Sequence, residues 1–308
     1  MTTIITPNTS AAMIEKMSNE EYHARPEYSS SQLKDMLRSG AHFYSNHILK
    51  EVESESKASM DFGTLAHTLF LEPELFESEF VVLPEDSPKR PTETMLKAKN
   101  PSPDTLGKIA FWENFEAEHA GKIIVTTEQI QGAQRIVTNL QALSMYADMQ
   151  NNYGMAEASI FFEDPVFDLQ LRIRPDWHIA PCKAFPFGLI LDLKTTTDAR
   201  PNAFSKKCGN FGYDLSAAMY REGFQQYYQT AEKPPFIFLV AESAIPFNVK
   251  QYKASDLFLS VGEARYNKAK SLLAESLLIN EWDGYSTDLE EIYLPSYMTK
   301  QALENDFN

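Results

Sequence analysis

Two charged residues interrupt an otherwise apolar run. In FGLILDLKTTT (187–197), Asp192 and Lys194 follow Leu189, Ile190 and Leu191, and threonines close the stretch. A short apolar run of this kind reads as a buried strand. Strand side chains alternate between faces, so Asp192 and Lys194 share one face while Leu191 and Leu193 take the other. Unpaired charge on a buried strand is costly, and the junction of a strand end with a polar loop is where α/β proteins build sites. Two more residues fit beside the pair. Asp176, in LQLRIRPDW, follows the strand expected just upstream, and His67 lies within GTLAHTLFLEP. Two carboxylates and an imidazole make a hard O/N donor set, better suited to Mg²⁺ or Mn²⁺ than to Zn²⁺, which favours more His or Cys. Lys194 would orient a metal-bound water or, if the local field lowers its pKa, deprotonate it. The chemistry this supports is phosphodiester hydrolysis by metal-activated water. Taken singly, each piece has a plainer reading. Asp-x-Lys at a strand end is commonly a surface ion pair, Arg-Pro-Asp is often a turn, and a histidine on an apolar helix face is usually a core residue. The functional reading rests on their combination.

The surrounding pattern must position these groups. Residues 1–17 read as a weakly ordered tail, and 18–308 as one domain whose N-terminal part is helical. The Ser29–Ser31 run is expected to cap a short helix bearing Leu33, Met36 and Leu37, with Gly40 as its C-cap. EVESESKAS (51–59) reads as a solvated loop. A helix over 60–71 carries His67 amid Phe62, Leu65, Ala66, Leu69 and Phe70. The connection from Pro84 to Pro103 holds five prolines and suggests a lid or a subunit contact. Helices are expected over 105–121 and 127–150. Strands follow over 156–162, 167–176 and 189–194, with Asp164-Pro165 as the first turn. A helix over 213–230, interrupted near Gly223, precedes strands at 236–241 and 247–252 and a long helix over 255–279. The tail from Glu281, with Trp282 and Tyr285, is expected to pack back on the body. Together these give an α/β (α+β) fold, a central mixed sheet flanked by helices.

The 308 residues are 43% hydrophobic and 12% aromatic, a packed globular composition rather than a disordered one. No apolar run approaches the ~20 residues needed to span a bilayer, and the N-terminus lacks the pattern of a signal peptide. Two isolated cysteines, Cys182 and Cys208, give neither a disulfide framework nor a zinc knuckle, so the expected compartment is the cytoplasm. A net charge of −15 argues against a protein that coats nucleic acid with its whole surface. It allows a basic channel within an acidic shell. Arg172, Arg174, Lys183, Arg200, Lys206, Lys207 and Arg221 lie within the core motifs, whereas acids concentrate at 51–55, 72–79, 113–118 and 288–291.

Asp176 followed by Asp192-x-Lys194 on successive strands resembles the PD-(D/E)xK nuclease signature. With GTLAHTLFLEP upstream, the opening MSNEEYHARPEYSSSQLKDMLRSGAHFY, LKTTTDARPNAFSK after the core strand and Gly212-Tyr213-Asp214-Leu215 beyond it, the chain resembles the RecE-type exonucleases (exodeoxyribonuclease VIII C-terminal domain and phage relatives) from about Met17 to Leu259. The resemblance implies a Mg²⁺-dependent, 5′-to-3′ exonuclease on double-stranded DNA in phage-type recombination, a homo-oligomeric ring, and a single-strand annealing recombinase as partner. It implies metal ligation by His67, Asp176, Asp192 and the Leu193 carbonyl, and a catalytic role for Lys194. Glu157 matches a glutamate that related nucleases place on the preceding strand, and Tyr220 matches the tyrosine of a glutamine–tyrosine pair whose glutamine position here holds Ser216. Two other readings stay open: an endonuclease of repair or defence with the same metal site, and a non-catalytic DNA-binding module, suggested by Ser216.

Overall fold

The computed structural model describes residues 11–51 and 58–294. Strand β1 (Ala12–Ile14) leads to α1 (Asn19–Ala24), α2 (Ser30–Arg38) and α3 (Gly40–Phe43), which runs into a π-helical turn at Tyr44–Leu49. Next come α4 (Ala58–Leu71), a 3₁₀ turn at Pro73–Leu75, α5 (Phe76–Glu79), β2 (Phe80–Val82) and α6 (Glu93–Leu96). Helix α7 (Pro103–Glu118), β3 (Ile123–Val125), α8 (Thr127–Gln141) and α9 (Ser144–Asn151) precede the strand-rich centre. That centre holds β4 (Gly154–Ala156), β5 (Ser159–Asp164), β6 (Leu169–Ile173), β7 (Trp177–Ile179) and β8 (Leu189–Thr196). Helices α10 (Pro201–Phe211) and α11 (Tyr213–Tyr228), strands β9 (Phe236–Glu242) and β10 (Val249–Lys253), and α12 (Asp256–Ile279) follow.

Strand β8 is the middle of a five-stranded sheet ordered β10-β9-β8-β7-β4, parallel to β9 and antiparallel to β7. Its expected alternation holds. Leu189, Leu191 and Leu193 pack with Leu65 and Ala66 of α4 and Ile136 and Leu140 of α8. Ile190 packs on the other face with Phe204 of α10 and Ala217 and Phe224 of α11. Helices cover both faces, and each fully buried Leu or Phe contributes about 1.5–3 kcal/mol. That is why this strand reads as a nearly continuous apolar run rather than an alternating one. A second, three-stranded antiparallel sheet, β1-β5-β6, packs against α2, α11 and α12 through Leu33, Phe162, Leu171, Leu215 and Tyr266.

The two sheets exchange chain at neighbouring points, which the sequence did not suggest. The strand expected over 156–162 divides at Glu157, whose φ of 49° is left-handed. Before it β4 pairs with β7, and after it β5 pairs with β6. The strand expected over 167–176 ends at Ile173, and an unexpected strand, β7, begins after Arg174-Pro175-Asp176, where proline has no N–H to give to a ladder. The two breaks are tied together, because the Glu157 amide donates to the Asp176 carbonyl at 3.2 Å.

Other expectations shift by smaller amounts. Part of the tail expected over 1–17 is ordered, since Ala12–Ile14 pair with β5. Ser29 caps α2 in a reciprocal box with Gln32, but Ser39 ends it and Gly40 opens α3. Most of the loop expected over 51–59 lies outside the described residues, and Ala58 already begins α4. The helix expected over 127–150 is two helices. Helix α11 runs unbroken through Gly223, whose missing side chain admits close approach to the sheet: a Cβ there would lie 2.6 Å from Phe162. Trp282 packs back as expected, stacked on Phe43 at 5.2 Å. Trp112 on α7 anchors the proline-rich connection, donating to the Pro88 carbonyl and lying under Arg90.

Gly262 on α12 fixes how closely α12 meets α11, since a Cβ there would lie 2.1 Å from the Asp214 carbonyl oxygen. Gly262→Ala is expected to cost about 3 kcal/mol in denaturant unfolding by overpacking. Gly107→Ala, in α7 with no heavy atom within 4 Å, is expected to gain about 0.5–1 kcal/mol. A Gly262→Ala midpoint equal to wild type would contradict this packing. A second prediction concerns His178 on β7, fully buried against Phe224 and Tyr228. Burial pulls its pKa down to about 4. Below about pH 6.5 the unfolded chain takes up this proton and the folded chain does not. Stability is therefore full above that pH and falls by about 3 kcal/mol as pH drops towards 4. Replacing His178 with Phe is expected to flatten that part of the pH–stability curve relative to wild type.

Candidate active site

The chain-exchange points place two carboxylates beside α4. His67 Nδ1 lies 3.7 Å from Asp176 Oδ2. One donor atom from each of His67, Glu157 and Asp176 falls within 4.8 Å of the others. Burial lowers the His67 pKa, against the pull of Asp176, so its imidazole is held neutral with a lone pair to give. Burial raises the Glu157 pKa to about 9, and Asp176 adds to the rise. Neutral imidazole and crowded carboxylates together fit a hard divalent cation, whose charge would relieve the repulsion. The left-handed backbone at Glu157, uncommon for a non-glycine residue, turns the chain between the two sheets beside this cluster.

Asp192 and Lys194 stand next to this cluster rather than inside it. Their contact is 2.6 Å on the shared face of β8. Burial raises the Asp192 pKa to about 6, with Lys194 pulling the other way and Asp176 adding to the rise. Burial works against the Lys194 ammonium, but Asp192 and Asp176 more than offset it and hold its pKa above the usual lysine value. The condition for Lys194 to act as a base is therefore not met; in this field it is a cation that orients and neutralises. Leu193 joins the two halves. Its amide donates to Asp176 Oδ2 at 2.6 Å. Its carbonyl faces the His67 ring and accepts from Lys194 Nζ at 3.5 Å.

Tyr220, one face of α11, lies below these acids. Burial raises its pKa strongly, and the charges of Asp192, Asp176 and Glu157 add to the rise, so the phenol stays protonated. Ser216, one turn earlier, has its hydroxyl 3.2 Å from that of Ser30. The position where the resembled family carries glutamine thus ties α11 to the first residue of α2. A cleft of about 790 Å³ opens over the cluster, lined by His67, Glu157, Glu72, Thr195, Gly63 and Arg174 among others.

Five of the basic residues counted near the motifs have partners within the protein. Arg172 and Arg174 are buried, 3% and 7% exposed. Arg172 donates to the carbonyls of Arg25 and Glu27. Arg174 donates to Ser159 Oγ and to Met17 and Asn19, pinning the N-terminal segment at the rim of the cleft. Arg221 donates to the Pro234 carbonyl, and Arg200 pairs with Asp198. Lys207 donates to the Thr195 carbonyl at the end of β8. Two residues were missed by sequence reasoning. Tyr213 has its ring 5.3 Å from Lys194 Nζ. Lys34 has its ammonium 5.7 Å from the same ring. Nothing in the local pattern of α2 singles out Lys34, and only the fold brings it to Tyr213.

Comparison with known proteins supports the architecture. No curated protein sequence matches the chain. Among solved structures, a candidate exonuclease from Eubacterium rectale superposes with a TM-score of 0.55 at 15% identity, covering 93% of this chain and 98% of its own. SSO0001 aligns over 58% of this chain and 68% of its own, at 10% identity and a TM-score of 0.29. The family model described as "PDDEXK-like domain of unknown function (DUF3799)" matches residues 29–292. With its mixed sheet and Asp176, Asp192 and Lys194 on successive segments of that sheet's core, the chain belongs to this PDDEXK-like family.

Proposed function

We propose that the protein is a divalent-metal-dependent deoxyribonuclease that degrades linear double-stranded DNA from an end, 5′ to 3′. The observation that carries this reading is the donor cluster of His67, Glu157 and Asp176 set beside the Asp192–Lys194 pair on the central strand. His67, Asp176, Asp192 and the Leu193 carbonyl, with Glu157, would hold Mg²⁺ or Mn²⁺. When bound, such an ion supplies Lewis-acid activation of water and of the phosphoryl oxygen. Lys194, kept cationic by two carboxylates, orients the attacked phosphodiester and stabilises the charge that builds on its oxygens. Tyr220, buried and kept protonated in the field of these acids, would position them from the α11 side. The cleft above the cluster admits a strand end. The E. rectale relative's description as a candidate exonuclease agrees with action from an end. A homo-oligomeric ring and transfer of the remaining strand to an annealing recombinase extend the reading to recombination, and light scattering tests the ring.

Linear and closed circular duplexes incubated with Mg²⁺ test the activity. Linear DNA is expected to be digested with release of 5′-labelled nucleotides, and the closed circle to survive. Asp192→Asn and Lys194→Ala are each expected to lower the rate at least ~100-fold. Cleavage of the circle would overturn the end requirement, and equal rates in the variants would overturn the site. Metal binding has a readout apart from activity. Mg²⁺ at ~100 times its Kd is expected to stabilise the fold by about 2.7 kcal/mol, seen as a higher melting temperature. Asp176→Asn is expected to lose most of that shift.

A further inference from the structure

We propose that Lys34 is a second phosphate ligand of the nuclease, holding the DNA backbone phosphate next to the one at Lys194. The assignment rests on the nuclease reading and adds to it a residue of the N-terminal helix. Three observations carry it. First, the lysine is held in place. Its aliphatic stem lies along the α10–α11 corner, where Gly212 takes a left-handed φ of 62° and a Cβ would come within 3.2 Å of Lys34 Cγ. Second, the position is electrostatically unfavourable for the protein alone. Lys34 and Lys194 share the Tyr213 ring, at 5.7 Å and 5.3 Å from its centre. A cation over an exposed aromatic ring gains only ~0.5–1 kcal/mol, and here two like charges divide one ring. Third, the neighbouring acids are committed elsewhere. Asp192 pairs with Lys194 at 2.6 Å, Asp214 with Arg265 at 2.7 Å and Asp35 with His47 at 2.8 Å. Among the described residues no carboxylate lies within ion-pair distance of Lys34 Nζ. Burial lowers the Lys34 pKa to about 8, Lys194 lowers it further, and Asp192 and Asp214 oppose the shift.

A half-buried ammonium beside a metal-site lysine, without an acid of its own, is complementary to an anion arriving from outside. The polyanion that the site would process supplies it. A strand bound at Lys194 would meet Lys34 across the Tyr213 ring that the two ammonium groups share. Ammonium-to-phosphate contacts of this kind fix register on the backbone without reading sequence.

Steady-state digestion of linear duplex with Mg²⁺ across a salt series, for wild type, Lys34→Met and Lys34→Arg, tests the assignment. Lys34→Met is expected to raise KM at least ~10-fold with a smaller change in kcat. Its plot of log(kcat/KM) against log salt is expected to lose about 0.9 of slope, the share of one phosphate contact. Lys34→Arg is expected to recover most of the wild-type KM. Melting temperature separates folding from binding. Removing a charge that repels Lys194 should leave it equal or higher, and Lys34→Gln serves if Met does not fold. If wild type digests DNA and the neutral variant keeps its KM and salt slope, the Lys34 assignment is overturned while the nuclease reading stands. If wild type digests no DNA, both fall.

Discussion

The Asp192–Lys194 pair on β8 is the constraint around which the rest is arranged. Two opposite charges sit 2.6 Å apart on the central strand of a sheet covered on both faces. Removing charges from water costs several kcal/mol per ion, and a close partner offsets that cost only in part. Well-packed apolar side chains would serve stability as well or better. The pair is intelligible as part of a site, where burial, with Asp176 adding to it, raises the Asp192 pKa and both acids hold Lys194 charged. The leucines on the opposite face of the strand bind it to α4 and α8. That leucine packing fixes His67, on α4, beside Asp176 and the Leu193 carbonyl.

The second device is the exchange of chain between sheets. A single sheet would align Glu157 and Asp176 along ordinary strands, with side chains alternating between faces. Breaking both strands at these residues, with Glu157 left-handed and its amide bonded to the Asp176 carbonyl, brings the two carboxylates to one place. The cost is a backbone conformation uncommon for glutamate, of order 1 kcal/mol or more, and a crowding of acids in which burial and Asp176 push the Glu157 pKa up. Both are what a site awaiting a cation looks like from its protein side. Arg174, one residue before the proline of the second break, stabilises the junction through Ser159 and the N-terminal segment. It does so as a buried structural cation.

Much of this was legible in the residues, for identifiable reasons. Strand β8 announced itself because a doubly covered strand must be apolar throughout, so Asp192 and Lys194 stood out. Helix α4 was legible because its apolar face is wide, and His67 sat inside that face. Capping at Ser29 followed from local hydrogen bonding. The sheet exchange was hidden, since an alternating pattern continues across it and only Pro175 hints at a break. Gly223 reads as a helix breaker locally, while its role is tertiary: it lets α11 approach Phe162. Lysine and arginine gave the least. Arg172 and Arg174 looked like a DNA surface and are internal, while nothing in the residues around Lys34 marked it as lying at Tyr213. Long basic side chains carry no pattern that tells burial from exposure, because their stems pack as apolar groups and their heads need only a local partner.

The central claim is that His67, Glu157 and Asp176, with Asp192 and Lys194 beside them, form one divalent-metal centre. Anomalous diffraction from Mn²⁺-soaked crystals measures this most directly. One strong peak is expected, coordinated by Asp176 with His67 or Glu157 and within reach of the Leu193 carbonyl, and absent from Asp176→Asn crystals. A wild-type site free of Mn²⁺ at saturating concentration, or a peak that persists in the variant, would contradict it.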